Sequence, residues 1–230
     1  MTTEPAPTGG TSVSFTEQMK GFVTRTGGGD PRTAYEKARE RHEAFMFELT
    51  VTAPDIDAFA ADPTHSGTAS GFVDGAVVGG RTEVVQGWVN LFVGPAASRS
   101  QRMLYRLWTL TIDDEPLTVV GFKEVHDDPG FDIWADTTTL YVQLLSGHIP
   151  PGDATSETGH LAADDDRVVG AGILRIETLD FAKQMTTFRT EGPGGLAAVA
   201  RFGSLFFGEV WSTYAPAADE RPPIEEGDTP

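Results

Sequence analysis

The sequence predicts an all-β protein, an eight-stranded antiparallel up-and-down barrel of the lipocalin-like type. From residue 45 onward, eight segments rich in Val, Leu, Phe, Thr, Tyr and Trp alternate polar and apolar residues with a period of two. Short connections with Gly, Pro and Asp separate most of them, which favours antiparallel hairpins over parallel crossovers. Closure of eight strands into a barrel removes the two free edges that a flat sheet would leave. A β-sandwich is the alternative.

The predicted elements follow in chain order. A helix is expected over 30–44, because Asp30 can cap its first turn and Pro31 suits the first helical position. A second, short helix is expected around 54–62, where Asp55 is the candidate cap, and an amphipathic helix over 196–214. The predicted strands are 45–52, 67–75, 83–93, 102–112, 116–125, 133–145, 167–177 and 180–190.

Composition limits the domain organisation and the partners. One β-barrel domain is expected over 13–214, with disordered tails at 1–12 and 215–230, the second of them acidic, because both are rich in Pro and Gly and poor in large apolar residues. The 230 residues carry 34 acidic and 17 basic side chains, a net charge of −17. Such a charge repels phosphate backbones, so nucleic acid is not an expected partner.

The sequence also limits compartment and chemistry. No apolar run reaches the roughly 18–20 residues of a membrane span, and the first residues lack the pattern of a secretion signal, so a cytoplasmic protein is expected. The lack of cysteine excludes disulfides, thiolate metal sites and a cysteine nucleophile. Nucleotide-binding glycine loops, a nucleophile elbow and zinc-protease motifs are missing, and the five histidines lack metal-ligand spacing. No cofactor and no metal are therefore expected.

The predicted strand 133–145 mixes polar and apolar residues on both faces. Trp134 and Asp136 share one face, whereas Tyr141 lies on the other. This mixture is expected if one face lines a cavity that has a few directed polar groups. The alternative is structural, with Asp136 paired to a neighbouring Lys or Arg.

Lys123 is a charged residue in the middle of a predicted strand, among Val119, Gly121 and Val125. If its side chain points inward, it is a buried cation that needs a partner. A lysine with a lowered pKa can act as a base or as a Schiff-base nucleophile. The alternative is an ion-paired structural residue.

Six strings of the sequence carry a resemblance to a known family. They are Asn90-Leu-Phe, Met103-Leu-Tyr-Arg-Leu, Leu117-Thr-Val-Val-Gly-Phe-Lys-Glu-Val, Asp127-Asp-Pro-Gly-Phe-Asp-Ile-Trp-Ala-Asp-Thr-Thr-Thr-Leu-Tyr, Gly172-Ile-Leu-Arg-Ile and Gln184-Met-Thr-Thr-Phe-Arg. Over about residues 13–214, the chain resembles the accessory domain that is joined to GMC-type, cholesterol-oxidase-like flavin oxidoreductases of actinobacteria. The resemblance implies sterol-like or other polycyclic lipids as ligands and a flavin oxidoreductase as a partner. It implies no catalytic residue, because the flavin-binding module is missing from this chain.

Three hypotheses on function remain. The first is a barrel that binds a hydrophobic or polycyclic small molecule, sterol-like or polyketide-like. The second is a cofactor-free cyclase, isomerase or cycloaddition catalyst of secondary metabolism, in which Lys123, Tyr105 or Asp136 polarises a carbonyl group. The third is a non-catalytic module that docks on a flavin oxidoreductase. The residues predicted to contact a ligand are Trp88, Asn90, Trp134, Tyr141, Phe188 and Arg189.

Overall fold

A computed structural model describes residues 10–25, 29–93, 100–126, 138–152, 159–176, 187–193 and 195–207. These residues form three α-helices, Pro31–Glu40 (α1), Ile56–Ala61 (α2) and Gly195–Phe207 (α3), and a short 3-10 helix, Ala76–Val78. Their strands are Ser12–Thr24 (β1), Ala44–Ala53 (β2), Ser66–Gly75 (β3), Gly80–Val93 (β4), Ser100–Leu110 (β5), Pro116–His126 (β6), Thr139–Ser146 (β7), Val168–Arg175 (β8) and Arg189–Glu191 (β9).

The first eight strands form a closed antiparallel barrel. Strands β2 to β8 pair in chain order, each with the next, and β1 pairs with both β2 and β8. The short strand β9 adds to the beginning of β1, where Ser14 lies opposite Arg189. The predicted eight-stranded up-and-down barrel, with short flanking helices and a C-terminal helix, is confirmed.

Strand β1 was not among the predicted strands. Its odd-numbered residues Val13, Phe15, Met19 and Val23 are buried, but Glu17 occupies an inward position between them and interrupts the apolar alternation. The prediction instead counted 180–190 as the eighth strand. Of that segment, 180–186 lie outside the described residues, and β9 stands beside the closed ring. Residues 133–137 of the sixth predicted strand also lie outside them, and β7 is its described remainder.

The core lies inside the barrel, and aromatic rings close it at one end. Phe15, near the start of β1, packs against Phe188 and against Phe202 of α3, at ring-centroid distances of 5.3 and 5.9 Å. Phe59 of α2 contacts the same Phe202 ring at 5.7 Å. The helices α2 and α3 therefore seal the end at which β1 begins.

Two elements cover the outside of the barrel wall. Helix α1 packs on β1 and β8 through the buried residues Ala34 and Ala38. The chain after β7 crosses the outer face of β5 and β6, where Arg106 donates hydrogen bonds to the carbonyl groups of Ile149 and Pro150, at 2.9 and 2.7 Å. Much of the outer wall is thus buried, which makes burial alone a poor guide to which face points inward.

The three predicted helices are present among the described residues, but the first ends at Glu40, short of the predicted 44, and Ala44 instead begins β2. α1 begins at Pro31 with Asp30 as its cap, α2 is capped by Asp55, and α3 covers 195–207 of the predicted 196–214. The remaining residues 208–214, like both ends of the chain at 1–9 and 215–230, lie outside the description. None of the helices described is long and apolar enough to cross a membrane.

Replacement of Asp30 tests how much the cap of α1 contributes to the free energy of unfolding. Asp30 Oδ2 accepts a hydrogen bond from the backbone N–H of Thr33 at 2.8 Å. The hydrogen bonds of the Thr33 side chain and then of its backbone hold the pKa of the carboxyl below its ordinary value. We expect Asp30→Ala to lower the free energy of unfolding by about 1 kcal/mol, because the N–H loses its partner. Urea unfolding followed by circular dichroism measures it. Asp30→Asn, which keeps an acceptor, is the control, and an equal loss in both variants would contradict the cap's role.

Candidate binding site inside the barrel

Three polar side chains from three strands meet inside the barrel. Glu17 of β1, Tyr105 of β5 and Lys123 of β6 are 2%, 4% and 1% exposed. Tyr105 lies opposite Val89 of β4, which is fully buried, so both side chains point into the barrel. Tyr105 also lies opposite Gly121 of β6, and Lys123, two residues further along that strand, therefore points inward as well. We call these three residues the polar cluster.

One carboxylate oxygen holds the polar cluster together. Lys123 Nζ lies 2.6 Å from Glu17 Oε2, which makes a buried ion pair. The hydroxyl of Tyr105 donates to the same oxygen over a longer distance of 3.4 Å. The ammonium group also lies 5.1 Å from the centroid of the Tyr105 ring, within the range of a cation–π contact.

The second carboxylate oxygen, Glu17 Oε1, is buried and has no hydrogen-bond partner among the described residues. Buried polar atoms in proteins are nearly always bonded to protein or water, so an exception requires an explanation. A carboxylate oxygen accepts hydrogen bonds and cannot donate them. Oε1 is therefore a free acceptor in the interior of the barrel.

The surroundings of the polar cluster are apolar. Leu49 is the residue opposite Glu17 on β2, and Met103 is the residue opposite Lys123 on β5. Phe47 stacks on Tyr105 at a ring-centroid distance of 6.2 Å. The three polar groups thus lie among apolar side chains.

Burial changes the proton affinities of two members of the cluster. Desolvation lowers the pKa of Lys123, and the charge and hydrogen bond of Glu17 oppose this effect. The pKa of Tyr105 is raised well above its ordinary value, first by burial and then by the negative charge of Glu17. The phenol is therefore a hydrogen-bond donor at neutral pH.

A buried ion pair is seldom the most stable choice for a core. Removing two charges from water costs several kcal/mol per ion, and apolar side chains of similar size are often as good or better. Perturbed titratable groups in an apolar setting are a recognised signature of functional sites. The polar cluster is therefore the candidate site.

The structure separates the sequence-predicted site residues. Tyr105 and Lys123 meet inside the barrel, whereas Trp88, Asn90 and Tyr141 face outward. Trp88 and Asn90 flank the inward-facing Val89, and Trp88 packs edge-on against Trp108, at 4.9 Å between centroids.

The other predicted residues lie elsewhere. On the outer wall, the Tyr141 hydroxyl accepts a hydrogen bond from Arg32 at 2.7 Å. Phe188 belongs to the aromatic closure at the end of the barrel, and Arg189 is exposed on β9. Trp134 and Asp136 lie outside the described residues.

Glu17 is the site residue that sequence reasoning missed. The available signal was its position in the alternation Val13, Phe15, Glu17, Met19, where a charge takes an inward place. A charged residue flanked at i±2 by large apolar residues is expected to point into the core and to need a partner. Lys123 shows the same signal on β6, and each is the partner of the other.

Two clefts lined by described residues lie away from the polar cluster's charges. A cleft of about 250 Å³ is bordered by the outward-facing residues Trp88, Asn90 and Arg106 and also by Tyr105 of the polar cluster. A second cleft, of about 300 Å³, is bordered by Arg25, Glu43 and residues near the 3-10 helix. Among the described residues, no three His, Asp or Glu side chains lie close enough to hold a metal ion.

Comparison with known proteins adds no relative. No protein-family model matches the chain, and neither a curated protein nor a solved structure is significantly similar to it. The resemblance to the accessory domain of flavin oxidoreductases therefore stays a prediction, and any functional argument depends on the geometry of the barrel.

Proposed function

We propose that the protein binds a hydrophobic or polycyclic small molecule, sterol-like or polyketide-like, inside the barrel and that the polar cluster orients it. The observation that carries the proposal is Glu17 Oε1, which lies in an apolar interior and has no hydrogen-bond partner in the described part of the chain. Ligand sites typically combine a mostly apolar wall with a few placed polar groups. The free acceptor, and not an open hollow, is the basis of this assignment, since neither cleft is bordered by Glu17 or Lys123, and Tyr105 is the one member of the polar cluster that borders a cleft.

The composition of the interior supports an apolar ligand. Phe47, Leu49, Val89 and Met103 surround the polar cluster and are at most 1% exposed. Such a wall contributes binding free energy in proportion to the apolar area that the ligand buries. A single polar cluster then fixes one end of the ligand.

Isothermal titration calorimetry with sterols and tetracyclic polyketides tests the proposal. We expect at least one compound to bind, and its affinity to fall by about tenfold or more in the double variant Glu17→Met/Lys123→Met, because hydrogen bonds to charged groups are each worth about 1.5–3 kcal/mol. The double variant removes both charges and keeps an unbranched apolar chain at each position. Trp88→Phe, on the outer wall, is the matched control and should bind like the unaltered protein.

Two results would contradict the interior site. One is the absence of binding across the whole panel. The other is the reverse dependence, in which Trp88→Phe loses affinity and the double variant keeps it, which would place the ligand in the outer cleft beside Trp88 and Asn90.

The polar cluster also favours a second candidate function, a cofactor-free cyclase or isomerase. Its carboxylate has one oxygen that no described residue binds, and it lies beside an ammonium and a phenol, so a base and two hydrogen-bond donors meet at one place. Recovery of a chemically altered compound from the calorimeter cell, by mass spectrometry, would favour this candidate over simple binding.

A further inference from the structure

The two oxygens of the Glu17 carboxylate have different roles. Oε2 accepts the hydrogen bonds of both Lys123 and Tyr105, at 2.6 and 3.4 Å, whereas Oε1 accepts none among the described residues. Both members of the ion pair are nearly fully buried, so bulk water does not reach the free oxygen. A group that occupies this place must bring a hydrogen to Oε1.

Charge balance restricts that group further. Glu17 and Lys123 already neutralise each other, so a charged ligand would add an uncompensated charge to an apolar interior, which is strongly unfavourable. A ketone, an ester or an ether is neutral but offers only acceptors, and these would face the acceptor Oε1. A neutral hydroxyl group meets both conditions.

Lys123 completes the match. Its ammonium group has three N–H donors, and the described contacts use one of them for Oε2. A hydroxyl can therefore donate to Glu17 Oε1 and accept from Lys123 Nζ at the same time. A donor that cannot also accept would use only half of this arrangement.

We infer that the ligand of the barrel is a neutral alcohol, an apolar molecule whose hydroxyl group donates a hydrogen bond to Glu17 Oε1. The inference rests on the proposed interior site and narrows its ligand class. It separates hydroxylated compounds from the corresponding ketones, ethers and hydrocarbons.

Three naphthalene compounds that share one ring system test the inference by calorimetry. 2-Naphthalenemethanol has the donor, 2-(methoxymethyl)naphthalene keeps only the acceptor, and 2-methylnaphthalene has neither. We expect the alcohol to bind about tenfold or more tightly than the other two, because only the alcohol satisfies the buried oxygen. Equal binding of all three compounds overturns the inference and leaves the proposed function standing. A water molecule held at Oε1 would give this result.

Two variants assign the preference to the carboxylate. In Glu17→Met/Lys123→Met the preference for the alcohol should disappear, while 2-methylnaphthalene binds at least as well as before. In Tyr105→Phe the preference should persist, because Oε1 and Nζ are kept. A preference that survives the double variant overturns the inference.

If the double variant does not fold, as judged by circular dichroism, the Tyr105→Phe comparison and the unaltered protein still decide. Failure of all three compounds and of the sterol and polyketide panel overturns the proposed function itself.

Discussion

Lys123→Met is expected to lower the free energy of unfolding by about 3–5 kcal/mol, because it leaves the Glu17 carboxylate buried without its counter-ion. The distance of 2.6 Å and the exposure of both side chains, 3% or less, make this the tightest buried ion pair described. The double variant Glu17→Met/Lys123→Met should recover most of the loss, since no charge then remains in the core. Urea unfolding at neutral pH, followed by circular dichroism, measures the unaltered protein, the two single variants Glu17→Met and Lys123→Met, and the double variant.

The matched control is an ion pair of equal length at the surface. Arg201 of α3 lies 2.6 Å from Asp57 of α2, and both side chains are more than half exposed. Arg201→Met should cost less than about 1 kcal/mol, because solvent screens such pairs. Additive losses from Glu17→Met and Lys123→Met in the double variant would contradict a coupled pair and indicate that each residue is held by other contacts.

Acidification from pH 6.5 to pH 4 is expected to remove up to about 3 kcal/mol of stability through His160 alone, at 1.36 kcal/mol per pKa unit. Burial lowers the pKa of this histidine from 6.5 to about 4. Its Nε2 lies 2.9 Å from the carbonyl oxygen of Tyr141, and its ring packs edge-on against Phe122.

The sign follows from the two pKa values of His160. The unfolded chain takes up a proton near pH 6.5 and the folded chain only near pH 4, so protonation favours unfolding between these values. The contribution is complete above pH 6.5 and is lost as the pH falls toward 4. The Arg102 guanidinium adds to the lowering, while the Tyr141 carbonyl and the Asp30 carboxylate oppose it.

Urea unfolding at pH 7.5 and pH 4.5 measures this effect. His160→Gln should lose less stability than the unaltered protein on acidification, since it cannot take up the proton. His42→Asn is the control, because His42 is exposed and its left-handed φ of 59° suits asparagine. A pH dependence of His160→Gln equal to that of the unaltered protein would contradict the assignment.

The barrel could be predicted because its signal is repeated. Each of several strands shows the period of two, and errors at one segment do not change the conclusion that a closed antiparallel sheet forms. The helix beginnings at Pro31 and Ile56 were predictable for a similar reason, since Asp30 and Asp55 act locally on the backbone that follows them.

The site was only partly predictable, because it depends on which face of each strand points inward. Parity places Trp88 and Asn90 on one face, but register decides which face that is. Register in turn depends on irregularities that the pattern does not show, such as the shifts between Ala69 and Phe72 in β3. There Gly71 has a φ of 146°, and a side chain at this position would collide with the carbonyl oxygen of Glu48. Tyr141 lies on the outer face of β7, where Arg32 of α1 contacts its hydroxyl and its ring, and the sequence pattern does not indicate that helix contact.

The hydrogen bonds that close the barrel also set the order in which the fold can be completed. β1 can pair with β2 as soon as both have been synthesised. The other edge of β1 pairs with β8, which lies far along the chain, and there Lys20 is opposite Arg175. Contacts of such wide sequence separation slow folding, because a long loop must close before they form. Until β8 has left the ribosome, the growing sheet keeps two unpaired strand edges and an exposed apolar face. The nascent chain is therefore expected to be most prone to misassociation just before β8 pairs with β1.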